Sequence, residues 1–179
     1  MNYAEIKNCD IANGPGVRIV LFVSGCRHHC PDCFNQIAWD FAYGKPFTQE
    51  TIDEILGLLA PDYIDGLTLL GGEPFEPENQ EAVLELVRQV RRCYPQKSIW
   101  AFSGFTLEQL SSGKIGPWAV TRELLSAIDV LVDGPFRREE KDLNLRFRGS
   151  RNQRIIDMKK TAAAGQIVLW RDWQSKERD

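Results

Sequence analysis

VRIVLFVSGCRHHCPDCFN, residues 17–35, decides how this chain is read. Residues 17–23 are, Arg18 apart, β-branched, aliphatic or aromatic, the pattern of a short strand buried on both faces, as in a parallel sheet. The run ends at Ser24-Gly25 and delivers a loop carrying Cys26, Cys30 and Cys33. In parallel α/β sheets and barrels, active sites lie at the C-terminal ends of the strands. A structural zinc site closes on four ligands, and a simple electron carrier normally holds each [4Fe–4S] cluster through four cysteines. Three thiolates on one loop would leave one iron of a cluster open to bind something else. Their CxxxCxxC spacing is wider at its first gap than the run found in bacterial ferredoxins. Cys9, in a polar N-terminal stretch, and Cys93, at a helix end, read as ordinary thiols.

Working outward, strand-like and helix-like runs alternate. Thr48 is placed to cap a helix on which Ile52, Ile55, Leu56 and Leu59 recur at helical spacing. Residues 67–70 are the next strand and run into Gly71-Gly72-Glu73-Pro74. Val83, Leu86, Val87 and Val90 form one helical stripe, with Glu78 and Glu81 at its start and Arg88, Arg91 and Arg92 at its end, matching the helix dipole. Residues 98–102 give a third strand, which breaks at Ser103-Gly104. A helix near residues 121–127 precedes a fourth strand at 129–132, ending at Asp133-Gly134-Pro135. Residues 154–156 and 167–170 are shorter strand candidates. The alternation predicts an α/β fold with a parallel sheet of about five or six βα units. The chain is too short for a full eight-stranded barrel, so a partial, open TIM-like barrel is expected.

The 179 residues fit a single domain, 1–179, long enough to bury most of its apolar surface without disulfides. An apolar fraction of 43% and a charged fraction of 26% place it among soluble globular proteins. Five cysteines, an odd number with three clustered, argue against a secreted disulfide framework. The start, MNYAEIKNCD, has no apolar leader, and no stretch approaches the length of a membrane span. The expectation is a reducing, cytoplasmic compartment and no membrane partner. A net charge of −3 gives no general case for nucleic-acid binding. Basic residues nevertheless gather at Arg137, Arg138, Lys141, Arg146, Arg148, Arg151 and Arg154, interrupted by Glu139, Glu140 and Asp142. Such a segment is either a solvated loop with local ion pairs or a docking surface for an acidic partner or phosphate.

The cysteine triplet after the first strand, followed by GGEP after the second, resembles the radical S-adenosylmethionine superfamily. The flanks, Asn13-Gly14-Pro15-Gly16-Val17-Arg18, Phe22, Gly25 and Asn35, are similar to those of glycyl-radical-enzyme activating proteins. LFVSGC, CFN, Trp39-Asp40-Phe41, LTLLGGEPF, FSGF, VLVDGPF and RFRGSRNQRIID extend the likeness to those acting on anaerobic ribonucleoside-triphosphate reductase, over a motif-bearing core of about residues 14–157.

The resemblance implies that Cys26, Cys30 and Cys33 hold a [4Fe–4S] cluster and that S-adenosylmethionine occupies its open iron. It also implies that Gly71, Gly72 and Glu73 bind the methionine amino group. The chemistry agrees, since glycines let backbone carbonyls come close and a carboxylate accepts from an ammonium. Reductive cleavage would then give methionine and a 5′-deoxyadenosyl radical, which removes hydrogen from a glycine of the reductase. Flavodoxin or ferredoxin is the implied electron donor. No side-chain acid or base is required.

Asp32 stands where the superfamily usually has an aromatic residue beside the adenine, and Phe34 is the candidate to replace it. Ser103 and Asp133, at strand ends, are placed to reach the ribose or methionine part of the cofactor, with turn or capping roles as the alternative. His28 and His29 read as loop residues covering the cluster, and Trp39, Trp100, Trp118, Trp170 and Trp173 as packing residues. Two other readings remain open: a radical S-adenosylmethionine enzyme acting on a small molecule, and a non-catalytic iron–sulfur or zinc module.

Overall fold

A computed structural model describes residues 1–171; Trp173 lies outside them. The order is β1 (Asn2–Asp10), β2 (Arg18–Val23), β3 (Lys45–Pro46), α1 (Gln49–Leu59), β4 (Gly66–Gly71), α2 (Pro77–Cys93), β5 (Ser98–Phe102), α3 (Leu107–Ser111), α4 (Trp118–Ala127), β6 (Val130–Asp133), β7 (Arg154–Asp157) and α5 (Met158–Ala164). The strands form one open sheet in the order β3-β1-β2-β4-β5-β6-β7. Its centre is parallel, β2 to β4 to β5 to β6, and its flanks are antiparallel, β1 against β2 and β7 against β6.

Parallel neighbours cannot be joined by a tight turn, so each central pair is linked by helix: α1, then α2, then α3 with α4. Because each new strand is added on the same side, right-handed crossovers put these helices on one face of the sheet. Side chains alternate accordingly. Ile19, Leu21, Val23, Leu67, Leu69, Ile99, Ala101 and Leu131 pack in one buried cluster with Ile55, Leu59, Val83, Leu86, Val87, Val90 and Leu124 of the helices. Val20, Phe22 and Leu70, and beside them Trp100, Val130 and Val132, form separate small clusters on the opposite face. Strands β2, β4 and β6 are thus buried on both sides, which is why, apart from Arg18, Thr68 and Asp133, they read as apolar runs.

The expected α/β class and the parallel centre are present, and the sheet is not closed. Thr48 and Thr51 make a reciprocal capping box at the start of α1. Helix α2 begins at Pro77 with Glu78 in its first turn and Arg91 and Arg92 in its last. Three βαβ crossovers join the described strands instead of five or six βα units, because the flanking strands are antiparallel and need none. The 154–156 candidate is β7, while in 167–170 only Leu169 bridges, to Ile156. Strand β1 gives no apolar run: its outer part is exposed, Asn2, Glu5, Lys7, Asn8 and Asp10 are polar, and backbone pairing to β2 with irregular register holds it. Cys9, in the polar N-terminal stretch, therefore lies on a strand and is exposed. No helix among the described residues is long and apolar enough to cross a membrane.

On the open face, Arg18 ties the entry ends of three strands together. Its buried guanidinium donates to Thr68 Oγ1 at 2.7 Å, to the carbonyl of Leu67 at 2.7 Å, and to the carbonyl and hydroxyl of Ser98 at 3.0 and 2.9 Å. Trp100 lies beside it, 5.7 Å from ring centre to guanidinium carbon. Burial lowers its pKa to about 10, against the opposing pull of Asp65, Asp129 and Asp10. Replacing Arg18 with Met removes the donors but leaves the buried carbonyls. The expected cost is about 3 kcal/mol in urea unfolding, and Arg18→Lys recovers only part of it, because an ammonium cannot span the same acceptors.

Candidate functional site

The C-terminal ends of β2, β4, β5 and β6 bring four loops to one edge of the sheet. The first two are fastened backbone to backbone: the Gly72 amide donates to the Val23 carbonyl at 2.7 Å and the Glu73 amide to the Gly25 carbonyl at 2.9 Å. This approach requires glycine. Gly71 has φ of +114°, and a β-carbon there would fall 2.7 Å from the Phe22 α-carbon. One on Gly72 would fall 2.5 Å from the Gly25 carbonyl oxygen and 3.0 Å from that of Ala38.

Between the loops lies a cavity of about 520 Å3 with Cys26, Cys30, Cys33, Phe34, Gly71, Gly72 and Ser103 in its lining. Leu70, Phe102 and Val132 of the open sheet face also line it, as do Phe136, Phe147 and Arg148 from the segment between β6 and β7. Its size is that of a small-molecule site. Phe34 stands at the rim with 83% of its surface exposed.

Cys26 is buried, and burial pushes its thiol up to about 12, aided by the nearby Glu73, Cys30 and Glu76 and opposed by the amide of His28. Burial likewise raises Cys30, against a hydrogen bond from the Phe136 amide. Thiols in such a site stay protonated until a metal displaces their protons. Cys26, Cys30 and Cys33 line a single cavity, and a cluster uses thiolates in this way, one to each of three irons. Cys26, Cys30 and Cys33 are the residues that would hold it.

His29 stacks on Trp39 with ring centres 4.5 Å apart, and His28 packs edge-on against Phe105 at 4.3 Å. Burial lowers the His28 pKa, but the hydrogen bond and charge of Glu73, with Glu76, outweigh it and leave it raised. Glu73 is buried behind the cavity wall and accepts from the Phe75 amide at 2.9 Å, Ser103 Oγ at 3.0 Å, the Gly104 amide at 2.8 Å and His28 Nε2 at 2.8 Å. Asp133 is also buried away from the cavity, accepting from the Leu107 amide at the start of α3 and from Arg154. The structure therefore gathers seven of the candidate residues round one cavity and seats Glu73 and Asp133 behind it. Sequence reasoning missed Arg27, whose guanidinium joins Glu76 and Glu78 and lies 4.4 Å from the Phe41 ring centre. Its signal was the pair Glu76 and Glu78 after GGEP, of which only Glu78 was read, as an acid at a helix start.

Residues 12–156 match the model of the 4Fe-4S single cluster domain family. Similar proteins include the anaerobic ribonucleoside-triphosphate reductase-activating proteins of Vibrio cholerae, 45% identical over 87% of this chain and 97% of the relative, and of Escherichia coli K12, 41% identical over 86% and 96%. That of Enterobacteria phage T4 is 40% identical over 87% of this chain and 93% of its own length. The chain belongs to this family of activating proteins. The matched region contains all four loops that line the cavity.

In this family member the basic segment is largely engaged locally. Arg137 pairs with Glu140, Arg138 with Asp32 of the cysteine loop, Arg151 with Asp142, and Arg154 with both Glu108 and Asp133. Arg148 donates to the carbonyl of Gln153. Local ion pairing accounts for most of its charge. Arg154 holds Glu108 down at about 2 through their hydrogen bond. A depressed carboxylate contributes stability above its ordinary pKa and loses it as pH falls through the folded value, here between about 4.5 and 2. Arg154→Met should therefore flatten this part of the acid unfolding curve. It should also cost about 3 kcal/mol at neutral pH by leaving Asp133 buried without its cation, measured by urea titration across pH. Gly72→Ala should cost about 2 kcal/mol in the same assay and reduce iron uptake per chain, because the clash is with backbone.

Proposed function

We propose that the chain is a radical S-adenosylmethionine enzyme that installs a glycyl radical on an anaerobic ribonucleoside-triphosphate reductase. The observation that carries this is the meeting of Cys26, Cys30 and Cys33 with the Gly71-Gly72 backbone round one cavity, in a chain whose relatives carry the activating name. A [4Fe–4S] cluster with S-adenosylmethionine on its open iron supplies reductive cleavage and the radical that takes hydrogen from a glycine. The three thiolates hold the cluster. The turn at residues 71–73 receives the methionine ammonium, with the Gly71 and Gly72 backbone facing the cavity. Ser103, at the end of β5, reaches the ribose or methionine portion, and Phe34 at the rim packs on the adenine. The apolar floor of Leu70, Phe102 and Val132 keeps water from the reacting carbon. Cytoplasmic flavodoxin or ferredoxin supplies the electron, and the four parallel strands are a portion of a TIM-like barrel.

The test is anaerobic reconstitution, reduction, and addition of S-adenosylmethionine with the reductase. The expected result is 5′-deoxyadenosine together with a glycyl radical signal on the reductase. Cleavage without that signal would overturn the assignment of substrate, and a cluster indifferent to S-adenosylmethionine would overturn the superfamily. Cys30→Ala should lose most cluster iron and sulfide while the chain keeps its far-ultraviolet circular dichroism.

A further inference from the structure

The most completely engaged polar group near the cavity is the carboxylate of Glu73. Its Oε1 accepts from the Phe75 amide and Ser103 Oγ, while Oε2 faces the Gly104 amide, Ser103 Oγ and His28 Nε2. It is 1% exposed and does not line the cavity. These partners come from three different loops: His28 from between the first two cysteines, Phe75 from the turn after β4, and Ser103 and Gly104 from the end of β5. His28 is held from the other side by Phe105, and the bare α-carbon of Gly104 makes room for its ring, since a β-carbon there would fall 2.5 Å from His28 Cδ2.

We propose that His28 and Glu73 form a latch that fixes the cysteine loop against both turns facing the cofactor, so that His28 is a positioning residue for S-adenosylmethionine. This deepens the proposed function and rests on it. A carboxylate whose oxygens are filled by protein donors cannot offer a free lone pair to a cofactor ammonium without breaking one of these bonds. Glu73 therefore acts through what it holds, and the contact with the cofactor falls to the Gly71 and Gly72 backbone. His28 is the link from the cluster side: without it the cysteine loop keeps its Arg27 anchor to Glu76 and Glu78 but loses its tie to β5.

His28→Leu keeps a side chain against Phe105 but removes the donor, whereas His28→Gln retains an amide donor for Glu73. Three readouts separate positioning from folding: hydrogen exchange of residues 26–35 in the protein without cluster, S-adenosylmethionine affinity of the reconstituted protein by calorimetry, and the change that S-adenosylmethionine causes in the spectrum of the reduced cluster. H28L should show faster exchange in that loop with the sheet unchanged, about tenfold weaker cofactor binding, as loss of one charge-assisted hydrogen bond gives, and an altered spectral response. H28Q should stay near the parent in all three. Equal affinity and spectra in H28L and the parent, or equal defects in H28L and H28Q, would overturn the latch while leaving the functional reading intact. A parent protein that takes up cluster but does not bind S-adenosylmethionine would overturn both. If H28L takes up no cluster, the exchange comparison in the cluster-free protein decides: exchange of residues 26–35 equal in H28L and the parent, or equally faster in H28L and H28Q, would overturn the proposal.

Discussion

The parallel pairing of β2 with β4, continued past the strands' ends, is the constraint from which the site follows. Six register pairs run from Arg18 with Gly66 to Val23 with Gly71. The backbone then keeps pairing into the loops, with the Gly72 and Glu73 amides bonded to the carbonyls of Val23 and Gly25. Loops from different strands would otherwise be independent and mobile. Here the first two behave as an extension of the sheet, and only glycine at 71 and 72 lets the chains come so close. The two glycines serve packing and access at once, since the atoms that touch the first loop belong to residues that also line the cavity.

The sheet's two faces divide the labour. One is covered by α1, α2 and α4 and supplies most of the hydrophobic stabilisation through a continuous cluster. The other carries Arg18 and Thr68 near the strand entries and apolar Phe22, Leu70, Phe102 and Val132 near the exits. Polar groups at the entry end are consumed by mutual hydrogen bonds and so cannot compete for a ligand. The exit end is left apolar beneath the cavity, the environment in which a reactive carbon is shielded and electrostatic contacts gain strength.

Much of this arrangement was legible in the sequence, for physical reasons that also mark where legibility stops. β2, β4, β5 and β6 were readable because burial on both faces leaves a contiguous apolar run, and α1 and α2 because their stripes repeat at helical spacing. β1 was not, because an exposed strand held by backbone bonds need not be apolar. The cysteines announced an open metal site through their spacing, and the glycines entered through the resemblance that GGEP and the cysteine triplet carry together. The capping alternative for Asp133 was legible and is what its bond from the Leu107 amide shows. The partners of Glu73 were not, because a buried carboxylate satisfied by distant donors looks in sequence like any acid at a strand end. His28 was legible as a loop residue, but its partner lies 45 positions away, and no local pattern connects them.

The anchoring of the cysteine loop has its own electrostatic logic. Cys26 sits in a buried place near Glu73 and Glu76, where a thiolate is disfavoured until a metal compensates. The loop also holds His29 and Asp32 in the left-handed region, with φ of 48° and 58°, a backbone cost that contacts elsewhere must offset. A loop of this kind is not self-organising, and the thiols cannot organise it before a cluster arrives. Its order must come from residues between the cysteines, and these are the ones engaged: Arg27 with Glu76 and Glu78, His28 with Glu73, His29 with Trp39, and Asp32 with Arg138. Four of the five intervening positions of CxxxCxxC are thus fasteners, tied to different parts of the scaffold, with Pro31 the exception. The thiols themselves meet only backbone amides, of His28, Phe136 and Asn35, while the side chains between them carry the anchoring.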